Sequence, residues 1–198
     1  MDLFDTPQVL TPIPLADGEL AMLFQLGLPL DNDTILARLL ADTAWREESI
    51  TLWGKRHAQP RLTAWHGERR YTYSGLTLDP LPFTPLQLML KSAVEHVSGQ
   101  RFNSVLLNYY RNERDSMGMH SDDERELGPR PVIASLSFGA PRTFILKHKH
   151  TKETIKLALS NGSLLLMGGE TQRYWLHGIN KSLKSTGPRV NLTFRNIV

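Results

Sequence analysis

The sequence predicts a mainly β protein, a sandwich or barrel with two N-terminal helices packed outside it. Three observations carry this. Beyond Gly99, short β-rich runs follow one another at 104–110, 131–138, 142–148, 153–159, 163–167 and 189–195, separated by Gly, Pro, Asn or charged clusters. Two helical patterns stand ahead of those runs. No long helical crossover lies between the runs, which argues against a parallel α/β sheet.

Taken in order, residues 1–30 are Pro-rich and irregular and are expected to wrap onto the core. Asp33-Thr34 then opens an apolar-periodic stretch, Ile35, Leu36, Leu39 and Leu40, that reads as a short helix. Residues 46–80 mix aromatics with Arg, Lys and Gly and show little regular period. Thr84-Pro85 is a helix start, with Thr as the cap and Pro at the first helical position. Leu86, Met89, Leu90, Ala93, Val94 and Val97 form its apolar face, and Gly99 ends it.

A chain of 198 residues suits one domain with a substantial core, and 40% hydrophobic with 22% charged residues is ordinary for a globular protein. No run approaches the ~20 apolar residues of a membrane helix, and no membrane partner is expected. The start, Met1-Asp2-Leu3-Phe4-Asp5, is acidic where a signal peptide is basic, so a cytoplasmic protein is expected; a monomer is expected as well. The absence of Cys excludes disulfides, thiolate metal sites and a Cys nucleophile. A formal charge of +3 suits a polyanionic partner without selecting one.

His120-Ser121-Asp122 sets an imidazole and a carboxylate two residues apart. On extended chain they face the same way and can share a metal. His177, after the apolar run Leu164-Leu165-Leu166-Met167 and a Gly-rich bend, is the best third ligand. Two His and one carboxylate form the facial triad of non-haem Fe(II) oxygenases. Zinc accepts the same ligands, and a lone His-x-Asp also fits a surface ion pair.

Arg189-Val190-Asn191-Leu192-Thr193-Phe194-Arg195 alternates strictly, with Arg189, Asn191, Thr193 and Arg195 on one face. Val190, Leu192 and Phe194 want the core, so the arginine face either meets solvent at an edge or pairs with anions. A dicarboxylate would satisfy it bidentately. Asn108 and Tyr110 offer a matching polar pair on one face of an otherwise apolar strand.

Together, Asn108-x-Tyr110, His120-x-Asp122, His177 and Arg189 with Arg195 resemble the AlkB family of 2-oxoglutarate/Fe(II) dioxygenases over about residues 50–196. The segments His120 to Glu126, Tyr71 to Leu78, Gly54-Lys55 and Pro60-Arg61 resemble one branch of it. The resemblance implies a double-stranded β-helix, a jelly-roll, with cofactors Fe(II), 2-oxoglutarate and molecular oxygen. It implies that His120, Asp122 and His177 hold the iron. Arg189 would pair with the distal carboxylate of 2-oxoglutarate, with Arg195 nearer the metal and Asn108 and Tyr110 completing the pocket.

The activity so implied is oxidative dealkylation of N-alkylated DNA bases such as 1-methyladenine and 3-methylcytosine. The alternatives are the same chemistry on RNA, protein or lipid, or a non-catalytic binding module. A methyl on the Watson–Crick edge requires a single strand or a flipped base. Tyr73 opposite His120 would sandwich that base, Tyr71 would hydrogen-bond it and Glu124 would contact it. Trp53, the aromatic residue before Gly54-Lys55, would be the finger that fills the gap left by the flipped base. Both tyrosines also suit a half-buried strand. Residues 1–45 read as an N-terminal extension, 46–80 as a nucleotide-recognition segment and 100–198 as the jelly-roll core. Scattered basic residues, among them Arg61, Lys147 and Lys149, are candidates for phosphate contact.

Overall fold

A computed structural model describes residues 8–52, 55–73 and 76–198, with the backbone alone at 50–52, 55–57, 71–73 and 76–78. In chain order its elements are β1 (Thr11–Ile13), β2 (Glu19–Leu23), α1 (Asn32–Asp42), β3 (Ser49–Leu52), β4 (Lys55–Ala58), β5 (Leu62–Gly67), β6 (Tyr71–Tyr73), β7 (Leu76–Leu78) and α2 (Pro85–Ser98). There follow β8 (Ser104–Tyr110), β9 (Met117–His120), a 3-10 turn (Arg125–Leu127), β10 (Ile133–Gly139), β11 (Arg142–His148) and β12 (Thr154–Leu159). The chain closes with β13 (Leu164–Gly168), α3 (Thr171–Tyr174), β14 (Trp175–Ile179) and β15 (Arg189–Arg195). No helix among the described residues is long and apolar enough to cross a membrane.

Seven strands form one antiparallel sheet in the order β1-β2-β13-β10-β15-β8-β5, and four form a second in the order β12-β11-β14-β9. From β8 onward the chain passes repeatedly between the two sheets. Two apolar clusters follow from the alternation of side chains along each strand. Leu106, Ile133, Leu165 and Met167 of the large sheet meet Phe144, Leu146, Trp175 and Ile179 of the small one. The opposite face of the large sheet, with Val105, Leu107, Leu136, Val190, Leu192 and Phe194, gathers Ile35 and Leu39 of α1 and Leu90 and Val94 of α2.

Both helices begin where their capping residues stand. Asp31 accepts the Thr34 amide at 2.8 Å ahead of α1, two residues before the Asp33-Thr34 start that the sequence suggested. Thr84 and Gln87 close a reciprocal capping box on α2, and Gly99, at φ 66°, ends it in the left-handed region that a side chain disfavours.

Two sequence expectations are corrected. Residues 1–30 are not irregular throughout, since β1 and β2 extend the large sheet at β13. Pro12 hides this in the sequence, but it sits in the outermost strand, where a missing amide donor is tolerated. Residues 46–80 also contain five strands. One of them, β5, pairs with β8, and its Thr63, Ala64, Trp65 and His66 are buried.

Candidate functional site

One cavity opens between the two sheets. It is lined from the large sheet by Asn108, Tyr110, Ser135, Arg189, Asn191, Thr193 and Arg195, and from the other side by Met117, His120, Phe144, His177 and Ile179, with Asp122 at its floor. β15 is buried along its whole length. Its four polar side chains face this cavity and its three apolar ones face the helices, as strict alternation requires. β8, next to it, adds Asn108 and Tyr110 on the same face.

At one end three potential ligand atoms from His120, Asp122 and His177 lie within 4.8 Å of one another. His120 and His177 are directly opposed in the β9–β14 ladder, with ring centroids 4.4 Å apart. Gly178 permits this approach: a Cβ there would stand 2.8 Å from the Met117 carbonyl oxygen and 3.0 Å from that of Gly118. β9 ends at His120 and Asp122 lies beyond it, outside the ladder. The two side chains converge all the same. Arg195 Nη2 donates to Asp122 Oδ1 at 2.8 Å, and the Asp122 amide donates to Gln172 Oε1 at 2.9 Å.

The donor set suits a divalent cation. His120 Nδ1 lies 2.9 Å from the Gly118 carbonyl oxygen, which can only accept, so the proton sits there and Nε2, 3.8 Å from Asp122 Oδ1, is left with the lone pair that a metal takes. Burial holds His177 at about 3, and it also lowers His120, so both rings are neutral near pH 7, as ligands must be. Burial, the largest influence, opposes the charge on Asp122, but Arg195, His177 and His120 around it together outweigh that and keep the carboxyl at about 2. Asp122 Oδ2, fully buried, has no hydrogen-bond partner among the described residues and faces His177 Nε2 at 4.0 Å. A cation between these atoms would satisfy it.

At the other end lies Arg189, 1% exposed. Nη2 donates to Ser137 Oγ at 3.0 Å, while Nε and Nη1 have no hydrogen-bond partner among the described residues. Its Cζ lies 5.1 Å from the centre of the Tyr110 ring. Burial draws the guanidinium down to about 10, against the attraction of Tyr110. It remains charged at neutral pH, and a buried charge without an anion is costly. The site is thus built to receive a carboxylate from a ligand.

The structure therefore brings together His120, Asp122, His177, Asn108, Tyr110, Arg189 and Arg195. Glu124 stands half-buried at the start of the 3-10 turn and is not among the described residues that line the cavity. Trp53 lies outside the described residues, as do the side chains of Tyr71 and Tyr73. Arg61, expected among surface cations, is instead 4% exposed, with Nε donating to Asn108 Oδ1 at 2.8 Å. Sequence reasoning missed this contact, as it missed Gln172. Ser135, on the Asn191 amide at 2.8 Å, is signalled only by alternation with apolar Ala134 and Leu136.

A sequence model of the 2OG-Fe(II) oxygenase superfamily matches residues 28–195. The bovine (Bos taurus) alpha-ketoglutarate-dependent dioxygenase alkB homolog 3 is 45% identical over 177 residues, covering 84% of this chain and 62% of the relative. The mouse (Mus musculus) DNA oxidative demethylase ALKBH2 is 40% identical over 194 residues, covering 87% of this chain and 81% of the relative. The chain thus spans about three-fifths of the alkB homolog 3 proteins it matches. The solved structure of OsALKBH1 has a similar fold, with a TM-score of 0.66 at 18% identity over 93% of this chain and 99% of that one.

Proposed function

Because the chain belongs to the 2OG-Fe(II) oxygenase superfamily and, within it, to the AlkB family, we propose that it removes alkyl groups oxidatively from N-alkylated DNA bases such as 1-methyladenine and 3-methylcytosine. The observation that carries this reading is the cavity itself, with a buried His-Asp-His set at one end and an anion-seeking Arg189 at the other. A molecule that chelates a metal at one end and carries a carboxylate at the other fits that pairing, and 2-oxoglutarate is such a molecule. Fe(II), when bound with 2-oxoglutarate and oxygen, supplies the oxidation that converts an N-methyl to a hydroxymethyl, which leaves as formaldehyde while succinate and carbon dioxide form.

The chain's own residues bind, orient and shield. His120, Asp122 and His177 would hold the iron. Arg189 would take the distal carboxylate through Nε and Nη1, with Tyr110 beside it. Asn108, held by Arg61, would complete that pocket. Leu106, Met117, Phe144 and Ile179 close the cavity walls against water. Asp122, Asp123 and Glu124 gather negative charge in one short segment, which favours a cationic methylated base.

The finer reading follows the same line. The two sheets form a double-stranded β-helix with α1 and α2 outside it, and the chain acts as a single domain and a monomer. The base enters from a single strand or flipped from a duplex, with Tyr71 and Tyr73 against it and Trp53 as the finger. The test is mass spectrometry of methylated single-stranded DNA, duplex DNA and RNA after incubation with Fe(II) and 2-oxoglutarate. Demethylated DNA with succinate in equal amount is expected. Turnover on RNA alone would move the substrate, and no demethylation of any nucleic acid would overturn the reading. Trp53→Ala is expected to keep single-strand activity and lose much duplex activity; equal loss on both substrates would remove the finger.

A further inference from the structure

The third ligand is the one that the sheets do not place. His120 and His177 are set by their cross-strand pairing. Asp122 comes two residues after β9 has ended, on irregular chain. Its carboxylate has a competing arrangement close by, because Arg195 already holds Oδ1 at 2.8 Å. The competing arrangement is a turn of the Asp122 backbone that sets both oxygens on that guanidinium, as in a bidentate pair. Oδ2 would then be withdrawn from His177 Nε2.

What opposes that turn is a side chain from another element. Gln172, on α3, is 2% exposed, and its Oε1 accepts the Asp122 amide at 2.9 Å. Its Nε2 points at Met167 Sδ, 3.8 Å away, and Met167 lines the same cavity. Its backbone carbonyl accepts Lys149 Nζ at 3.0 Å, which ties α3 to the end of β11. One residue earlier in the His-Ser-Asp tripeptide, Ser121 Oγ donates to the Trp175 carbonyl at 2.9 Å. The tripeptide is therefore fastened to the segment that leads directly into His177. A buried primary amide is costly unless its oxygen has a good donor, and here the donor is the backbone of a metal ligand.

We infer that Gln172 is a positioning residue for the metal, one that holds the Asp122 backbone so that one carboxylate oxygen stays with Arg195 and the other faces the metal position. The inference rests on the metal reading above. Its test is calorimetric titration of Mn(II) into the full chain, with the melting temperature of each metal-free protein measured alongside. Gln172→Met keeps roughly the volume and removes the acceptor. It is expected to weaken Mn(II) binding about 10–100-fold, the usual effect of losing a partner that orients a ligand. Gln172→Glu restores an acceptor and is expected to bind Mn(II) within a few-fold of the parent. Should the Met variant not fold, Gln172→Asn, which retracts the amide by one methylene, takes its place with the same weakening expected. Parent-like Mn(II) affinity in the variant without the acceptor, whatever its melting temperature, would overturn the inference. So would equal weakening in Gln172→Glu. A parent protein that binds no Mn(II) would instead remove the metal reading itself.

Discussion

Along β15, four side chains reach the cavity because a strand turns alternate residues to one face, whereas past the end of β9 a single carboxylate reaches it because Gln172 and Arg195 hold it there. The first kind of placement is repeated by every residue of the strand and is protected by the sheet hydrogen bonds on both sides. The second depends on individual contacts between segments 50 and 73 residues apart. The two ends of the cavity should therefore fail differently when they are altered. The strand end should lose binding without losing position. The turn end should lose position first.

The largest effect is expected at the metal end. His120→Ala, Asp122→Ala and His177→Ala each remove one of three ligands, and each should abolish both Mn(II) binding and turnover. Near-normal metal uptake in any of the three would reassign that residue.

At the strand end, Arg189→Ala should weaken 2-oxoglutarate by ~3–5 kcal/mol, the cost of breaking a buried ion pair from one side. Arg189→Lys should recover only part of this, since Lys lacks the fork. The metal-free, ligand-free protein should respond with the opposite sign. Arg189→Met removes a buried charge whose Nε and Nη1 have no hydrogen-bond partner among the described residues, and should stabilise the fold by about 1–2 kcal/mol in urea titration. A large destabilisation instead would show that Arg189 supports the strand and not the ligand.

Gly178→Ala tests the approach of β9 to β14 at intermediate strength. The new methyl would meet the Met117 carbonyl at 2.8 Å, at a cost of roughly 1–3 kcal/mol. It should separate His120 from His177, so that Mn(II) affinity falls more than 2-oxoglutarate affinity does. Equal losses would mean that the two ends are not separately built.

The smallest effect belongs to Asp115, beyond β8 at the other rim of the sheets. Burial opposes its charge, but two hydrogen bonds from the Arg111 side chain and one from its amide prevail and lower its carboxyl below the usual value. A depressed carboxyl contributes stability above the unfolded value, and that contribution is lost as pH falls through the folded one. Asp115→Asn should therefore flatten the decline in stability below about pH 4. Because Arg111 is partly exposed, the change should be under about 1 kcal/mol. An unchanged acid limb in urea midpoints would remove Asp115 as its cause.

The same contrast explains what could be read from the chain. The strands at 104–110, 142–148 and 189–195 and the cap residue of α2 are local signals, and they stand where the sequence puts them. So does the arginine face, because alternation is a property of the strand itself. β9 and β14 are not legible in this way: Met117-Gly118-Met119-His120 has no β-branched residue, and its pairing is interrupted by an irregular register. β1 is masked by Pro12. Gln172 carries no local mark, and nothing local marks the contact of Arg61 with Asn108, since what makes them matter is a partner 50 or 47 residues away.

Binding of 2-oxoglutarate measured by calorimetry, with and without Mn(II), tests most directly the claim that the two ends form one site. A ligand held by the metal position and by Arg189 together should bind at least tenfold more tightly to the Mn(II)-loaded protein. That gain should vanish in Asp122→Ala, while Arg189→Ala should bind weakly with or without the metal. Equal affinity with and without Mn(II), or undiminished binding in Arg189→Ala, would contradict the account.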